Sequence, residues 1–329
     1  MPRKPRFIIP GHLHEITLST FQGRYFFIPS DRLNKLIIGA IEHARRKYEI
    51  GFCCGGFLSN HGHWLVVPES AEQFSAFLCL AKSQIAQEVQ RICGWTGGIF
   101  ETSDVTVIAN DLESEVERLK YVLAQGVKEG LVPHPAKWPG MQCAKALTTG
   151  SMRLEGVWVD RTALYEPVRK KTRQSKAVRR RDLDRSSYKA YEKKVMLELT
   201  PIPRWKRLEP REIAKRCRGL IGEILVEHAD VIASVRPGYR ARLTDRSMFC
   251  YRPDGRKSGI RPLVHAHDKE VWQRYADRAK QFFGAFKRAS DRLRQGVLEA
   301  VYEFPEQAFL PTGIVSRFAE SLPPPAPAQ

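Results

Sequence analysis

Apolar and polar positions recur with two different periods along the first 130 residues, and the switches between them mark the expected elements. His14 to Thr20 carries the β-branched residues Ile16, Thr17 and Thr20, which favours a first strand. Pro29-Ser30-Asp31 opens a helix at about residue 31, where Leu33, Leu36, Ile37, Ala40 and Ile41 follow helical spacing up to about Tyr48. Phe52 to Ser59 is a short apolar run with Gly55 and Gly56. Asn60-His61 turns the chain, and His63 to Val67 returns as its hairpin partner. Glu69 to Cys93 is helical, with Phe74, Phe77, Leu78, Ala81, Ile85 and Val89 on one side. Gly97 to Glu101 predicts another strand. The predicted order is β-α-β-β-α-β.

A third helix follows. Asn110 is placed as its N-cap, with Glu113 in the capping-box position and Gly130 as the C′ residue. Leu112, Val116, Leu119, Leu123 and Val127 step at helical intervals and predict the buried stripe. Tyr121 and Gln125 sit one turn apart, off that stripe, on a face shared with Glu117, Arg118 and Lys128.

Beyond residue 130 the pattern changes. Pro133, Pro135 and Pro139 interrupt regular structure, so roughly residues 131–155 are expected to be irregular. Arg169 to Arg185 is a dense basic segment. Glu209 to His228 and Asp268 to about Phe304 predict helices. The proline-rich tail from about Leu322 has the composition of a disordered segment. The expected division is a first domain over 1–135, a linker over 136–160, a basic and mainly helical extension over 161–310, and a disordered tail over 311–329. The expected fold class is α+β.

Composition sharpens this division. The chain has 329 residues, enough for about two domains, and 43% of them are hydrophobic. Its net charge of +18 favours a polyanion such as nucleic acid. The first 150 residues are close to neutral, so the excess falls on the second half. Seven cysteines are scattered with no Cys-x-x-Cys pair, which argues against a zinc ribbon and for a reducing compartment. The N-terminal residues lack the apolar core of a signal peptide, and no run of 18 apolar residues predicts a membrane span. A cytoplasmic protein with no membrane partner is expected.

Candidate chemistry sits on two stretches. In a strand His61 and His63 share one face, and in a helix Tyr121 and Gln125 are neighbours. Two imidazoles, an amide oxygen and a phenol could then converge on a metal and a phosphate. Two other His-x-His pairs, His12/His14 and His265/His267, make that pattern weak by itself. Strand histidines that are exposed or hydrogen-bonded, and a half-buried packing tyrosine, explain the same residues without chemistry.

Taken together, residues 5–140 resemble the IS200-type tyrosine transposases, most closely their REP-associated branch. Arg6-Phe7-Ile8-Ile9-Pro10-Gly11 is similar to the family's opening motif. Ser59-Asn60-His61-Gly62-His63-Trp64-Leu65-Val66 resembles its HUH signature, and Tyr121 to Gln125 followed by Lys128 to Val132 resembles its nucleophile segment. The resemblance implies a ferredoxin-like β-α-β-β-α-β core with an antiparallel sheet. It implies Tyr121 as nucleophile, with His61, His63 and Gln125 as ligands of a divalent metal, magnesium or manganese. The chain departs from the family at Ser59, Gly62 and Gly126, and at Glu15, where many members carry a histidine. The Glu15 difference is expected to bear on support of the sheet rather than on catalysis.

The implied activity is metal-dependent cleavage and rejoining of single-stranded DNA at hairpin-type ends, through a 5′-phosphotyrosine intermediate. This is the chemistry of a DNA transposition and recombination enzyme, bacterial and nucleoid-associated, acting as monomer or homodimer. Lys128, Arg118 and the metal are the three candidates for helping the tyrosine lose its proton, and the sequence does not choose among them. Lys170, Lys171, Arg173, Arg179, Arg180 and Arg181 are expected, with Arg118 and Lys128, to contact the DNA, and such binding falls steeply with salt. A domesticated nucleic-acid binder that no longer cleaves, and a replication-initiator-type HUH nuclease, are the alternatives.

Overall fold

A five-stranded sheet organises the chain. Its strands β1 (His14–Thr20), β2 (Gly51–Phe57), β3 (His61–Val67), β4 (Phe100–Ile108) and β7 (Val264–His265) lie in the order β2-β3-β1-β4-β7. The first four pair antiparallel, and β7 joins β4 in parallel. This computed structural model describes residues 5–166, 185–253 and 262–310. Within them the class is α+β with a mixed, mostly antiparallel sheet.

Register decides what each face carries. Across β1 and β3, Ile16 opposes Trp64 and His14 opposes Val66, while Glu15 opposes Leu65, Thr17 opposes His63 and Ser19 opposes His61. One face is therefore dominated by large apolar groups and the other by polar ones. Helix α2 (Ala71–Cys93) covers the apolar face, with Phe74 beside His14 and Phe77 beside Trp64 at ring separations of 6.1 and 6.0 Å. Helix α1 (Asp31–Tyr48) packs beside α2. Both helices are capped by the serine before them, Ser30 and Ser70, whose side chains accept from the N3 amides of Leu33 and Gln73.

Helix α3 (Leu112–Lys128) lies across the polar face. Its N-cap is Asp111 rather than Asn110. The Asp111 carboxylate accepts from the Ser114 amide at 2.7 Å and from the Ser114 hydroxyl at 2.8 Å. Leu119, Leu123 and Val127 of the expected stripe are buried, but Leu112, the first residue of the helix, is exposed. Val122 and Ala124 widen the buried side, and Gln125 is drawn into it at 8% exposure. Strand β4 runs seven residues past Glu101, since Val105, Thr106 and Val107 continue the pairing with β1 and Ile108 pairs with His265 of β7.

Residues expected to be irregular are largely ordered. Helix α4 (Ala144–Thr149) and strand β5 (Arg153–Val159) occupy the span read as a linker. β5 pairs with β6 (Glu192–Glu198) in a two-stranded ribbon laid across α1. At the crossing Gly39 meets the Val157 backbone so closely that a Cβ would overlap the Val157 carbonyl. The N-terminal segment is buried at Phe7, Ile8 and Ile9. Ile8 joins the main core. Phe7 and Ile9 pack under the aromatic stripe of α6 (Lys269–Arg294), including Phe282 and Tyr275. Helix α5 (Pro210–Glu227) packs against α3 and α4. Among the described residues no helix is long and apolar enough to cross a membrane.

Candidate functional site

The polar face of the sheet and the polar flank of α3 meet at His61, His63, Tyr121 and Gln125. His61 opens β3, and His63 lies two residues on, so their rings stand on the same side at 5.3 Å between centroids. The Tyr121 ring lies 5.5 Å from His63 and perpendicular to it. Gln125, one turn after Tyr121, donates its amide nitrogen to the Tyr121 carbonyl at 3.1 Å, which leaves the amide oxygen as its remaining acceptor. A cavity of about 30 Å³, room for one water-sized group, is lined by His63, Gln125, Cys54, Gly56 and Trp138.

Hydrogen bonds fix how the two imidazoles present themselves. His63 donates Nδ1–H to Glu15 Oε1 at 2.7 Å, and His61 donates Nδ1–H to Asn60 Oδ1 at 2.8 Å. In its neutral form each ring then carries its lone pair on Nε2. His63 is 2% exposed, and its Nε2 has no hydrogen-bond partner among the described residues. A buried polar atom in that state is costly unless something binds it.

These donors fit a divalent cation. His61 Nε2, His63 Nε2 and the Gln125 amide oxygen supply two borderline ligands and one hard one, a set compatible with manganese or magnesium. Among the described residues no three His, Cys, Asp or Glu side chains form a metal cage, and here the third donor is an amide.

Charge around the tyrosine is arranged by α3. Arg118 sits 4.3 Å and Lys128 4.8 Å from the Tyr121 ring, so two cations flank it. Arg118 also pairs with Glu15 Oε2, and its buried Nε has no partner among the described residues. Glu15 itself is 1% exposed. Burial pushes its carboxyl up, but the hydrogen bond from His63 and the Arg118 charge outweigh this and hold it down at about 2.

Glu15 is the residue that sequence reasoning missed. It was expected to support the sheet, yet it touches both His63 and Arg118. A signal was available: Glu15, Thr17 and Ser19 alternate with Ile16 and Leu18, which places Glu15 on the face of His61 and His63.

The other two histidine pairs are taken up by protein partners. His14 donates Nδ1–H to the His12 carbonyl at 2.9 Å and accepts the Ile9 amide on Nε2 at 3.2 Å. His12 contacts the Pro10 carbonyl and the Tyr275 hydroxyl. His265 and His267 both donate to the Glu117 carboxylate, at 3.1 and 2.5 Å, one turn before Tyr121. Lys170, Lys171, Arg173, Arg179, Arg180 and Arg181 lie outside the described residues.

No protein-family model and no curated protein matches this chain. Among solved structures, it is similar to one described as a REP-associated tyrosine transposase bound to a REP hairpin. That likeness has 18% sequence identity and a TM-score of 0.38, and covers 45% of this chain and 86% of the other.

Proposed function

We propose that this protein cleaves and rejoins single-stranded DNA with Tyr121 as nucleophile and a divalent cation held by His61, His63 and Gln125. The observation that carries this reading is the buried, unpartnered Nε2 of His63, turned out by its Nδ1 bond to Glu15 and set beside the Tyr121 ring. In this reading the β-α-β-β-α-β unit is a ferredoxin-like frame for the site, with β1 and β3 at its centre. A cation bound there supplies Lewis-acid polarisation of a phosphate, the chemistry for which magnesium and manganese are suited.

The chain's own residues do the rest. The Tyr121 oxygen attacks a DNA phosphorus, forming an O–P bond as the bond to the 3′ oxygen breaks. The products are a 5′-phosphotyrosine and a 3′ oxygen that takes up a proton to become the 3′-hydroxyl. A phenol in water titrates at about 10, so the attacking oxygen must lose its proton on the way. Arg118 and Lys128 flank the ring and favour the negative charge that develops on the oxygen. The covalent link conserves the phosphodiester, so the reverse attack by a 3′-hydroxyl rejoins the strand without a nucleotide cofactor.

The basic second half supports a polyanionic partner, for which a DNA strand carrying hairpins is the proposed substrate. Manganese-dependent cutting of an end-labelled, hairpin-bearing single strand tests this. Cutting that stops with chelator and in His61→Ala is the expected result. Tight hairpin binding with no cutting at any metal concentration would instead identify a binder that does not cleave.

A further inference from the structure

We propose that Glu15 is a positioning residue that couples the two halves of this site, holding His63 with one carboxylate oxygen and the cation over Tyr121 with the other. The proposal rests on the cleavage site proposed above and adds a residue that the tyrosine and histidine motifs do not contain. Oε1 accepts from His63 Nδ1 at 2.7 Å, and Oε2 pairs with Arg118 Nη2. Arg118 stands three residues before Tyr121 on the same helix, with its guanidinium carbon 4.3 Å from the ring centroid. Three elements therefore meet at one buried carboxylate: β1 through Glu15, β3 through His63 and α3 through Arg118.

Each contact has a separate consequence. A carboxylate on Nδ1 keeps the imidazole in the tautomer whose Nε2 is a ligand, and it fixes the ring plane. A carboxylate on the guanidinium restricts where that cation lies over the phenol ring. A purely structural ion pair would tie strand to helix and affect stability alone. Glu15 instead aims each of its two oxygens at a group that faces the reacting atoms. Shifting either contact also disturbs the other, because both share a single carboxylate plane.

The informative variant is Glu15→Gln in the full chain. Its amide oxygen still accepts from His63 Nδ1, while its amide N–H₂ faces Arg118 and cannot hold it. Two quantities are measured: the Mn²⁺ dissociation constant, from free-ion electron paramagnetic resonance, and the rate of adduct formation at saturating Mn²⁺. Weakening of Mn²⁺ binding and slowing of the saturated rate, each by about 10-fold or more, are expected, with cooperative unfolding retained. A change in only one of the two, or in neither, overturns the coupling.

A wild-type protein that binds no Mn²⁺ refutes the metal site itself. In that case the nitrogen-15 shifts of His63 in the metal-free protein still decide the Glu15 assignment. The expected result is Nδ1–H in the wild type and in Glu15→Gln, and loss of that preference in Glu15→Ala. The same tautomer mixture in all three overturns it.

Discussion

The ring of Phe57 fills the space that a side chain at Gly62 would need. A Cβ built at Gly62 meets Phe57 ring carbons at 2.5 and 2.6 Å and the Gly56 carbonyl at 3.0 Å. Gly62 stands between the two histidines on β3. Phe57 on the adjacent β2 is buried and packs edge-on to Trp64 and at 4.3 Å from Phe27, so it takes that volume from the neighbouring strand. Overpacking such a position costs about 1–3 kcal/mol. Gly62→Leu is therefore expected to lower the unfolding free energy by that amount, seen as a lower urea midpoint with an unchanged slope. An unaltered midpoint would show that Phe57 can move aside.

The start of the helix that carries Tyr121 depends on Asp111. Its carboxylate takes both the amide and the hydroxyl of Ser114, whereas Asn110 makes its contacts through the backbone, to the Tyr275 hydroxyl and Arg204. Asp111→Ala should cost about 1 kcal/mol and Asn110→Ala a few tenths at most, read from denaturant unfolding. Equal losses would contradict this assignment of the cap.

His14 should make the fold sensitive to acid. Burial lowers its pKa from 6.5 to about 3, and its ring is satisfied in the neutral form by the His12 carbonyl and the Ile9 amide. The unfolded chain takes up a proton below about pH 6.5 that the folded chain refuses until about pH 3. Stability therefore falls as the pH is lowered through that window, by about 1.4 kcal/mol per pH unit from this residue alone. Glutamine at position 14 does not titrate there and offers both an amide donor and a carbonyl acceptor. The stability difference between wild type and His14→Gln should shift at that slope between pH 6 and about pH 4. Parallel curves would show that His14 is protonated in the folded state.

What could be read from the sequence was local. Helical and strand periods place α1, β1 and α2 within a few residues, because the apolar spacing that specifies each lies inside the element itself. The shared face of His61 and His63 follows from strand alternation, and the turn linking Tyr121 to Gln125 follows from helical spacing. Contacts between distant segments are different. Glu15 meets Arg118 over a separation of 103 residues, and His265 meets Glu117 over 148, with nothing in either local pattern to pair them. Phe7 and Ile9 take their cover from α6, far along the chain. The prolines after α3 read as breaks, yet Trp138 among them reaches back to donate its indole N–H to the Phe57 carbonyl at 2.8 Å.

The central claim is that the Tyr121 oxygen attacks DNA. Incubating the full chain with Mn²⁺ and a hairpin-bearing single strand, denaturing it, and mapping the nucleotide-bearing peptide by mass spectrometry tests this directly. The account predicts a 5′-phosphotyrosine on Tyr121, dependent on metal and absent from Tyr121→Phe. An adduct on another residue, or an undiminished adduct in Tyr121→Phe, would contradict it.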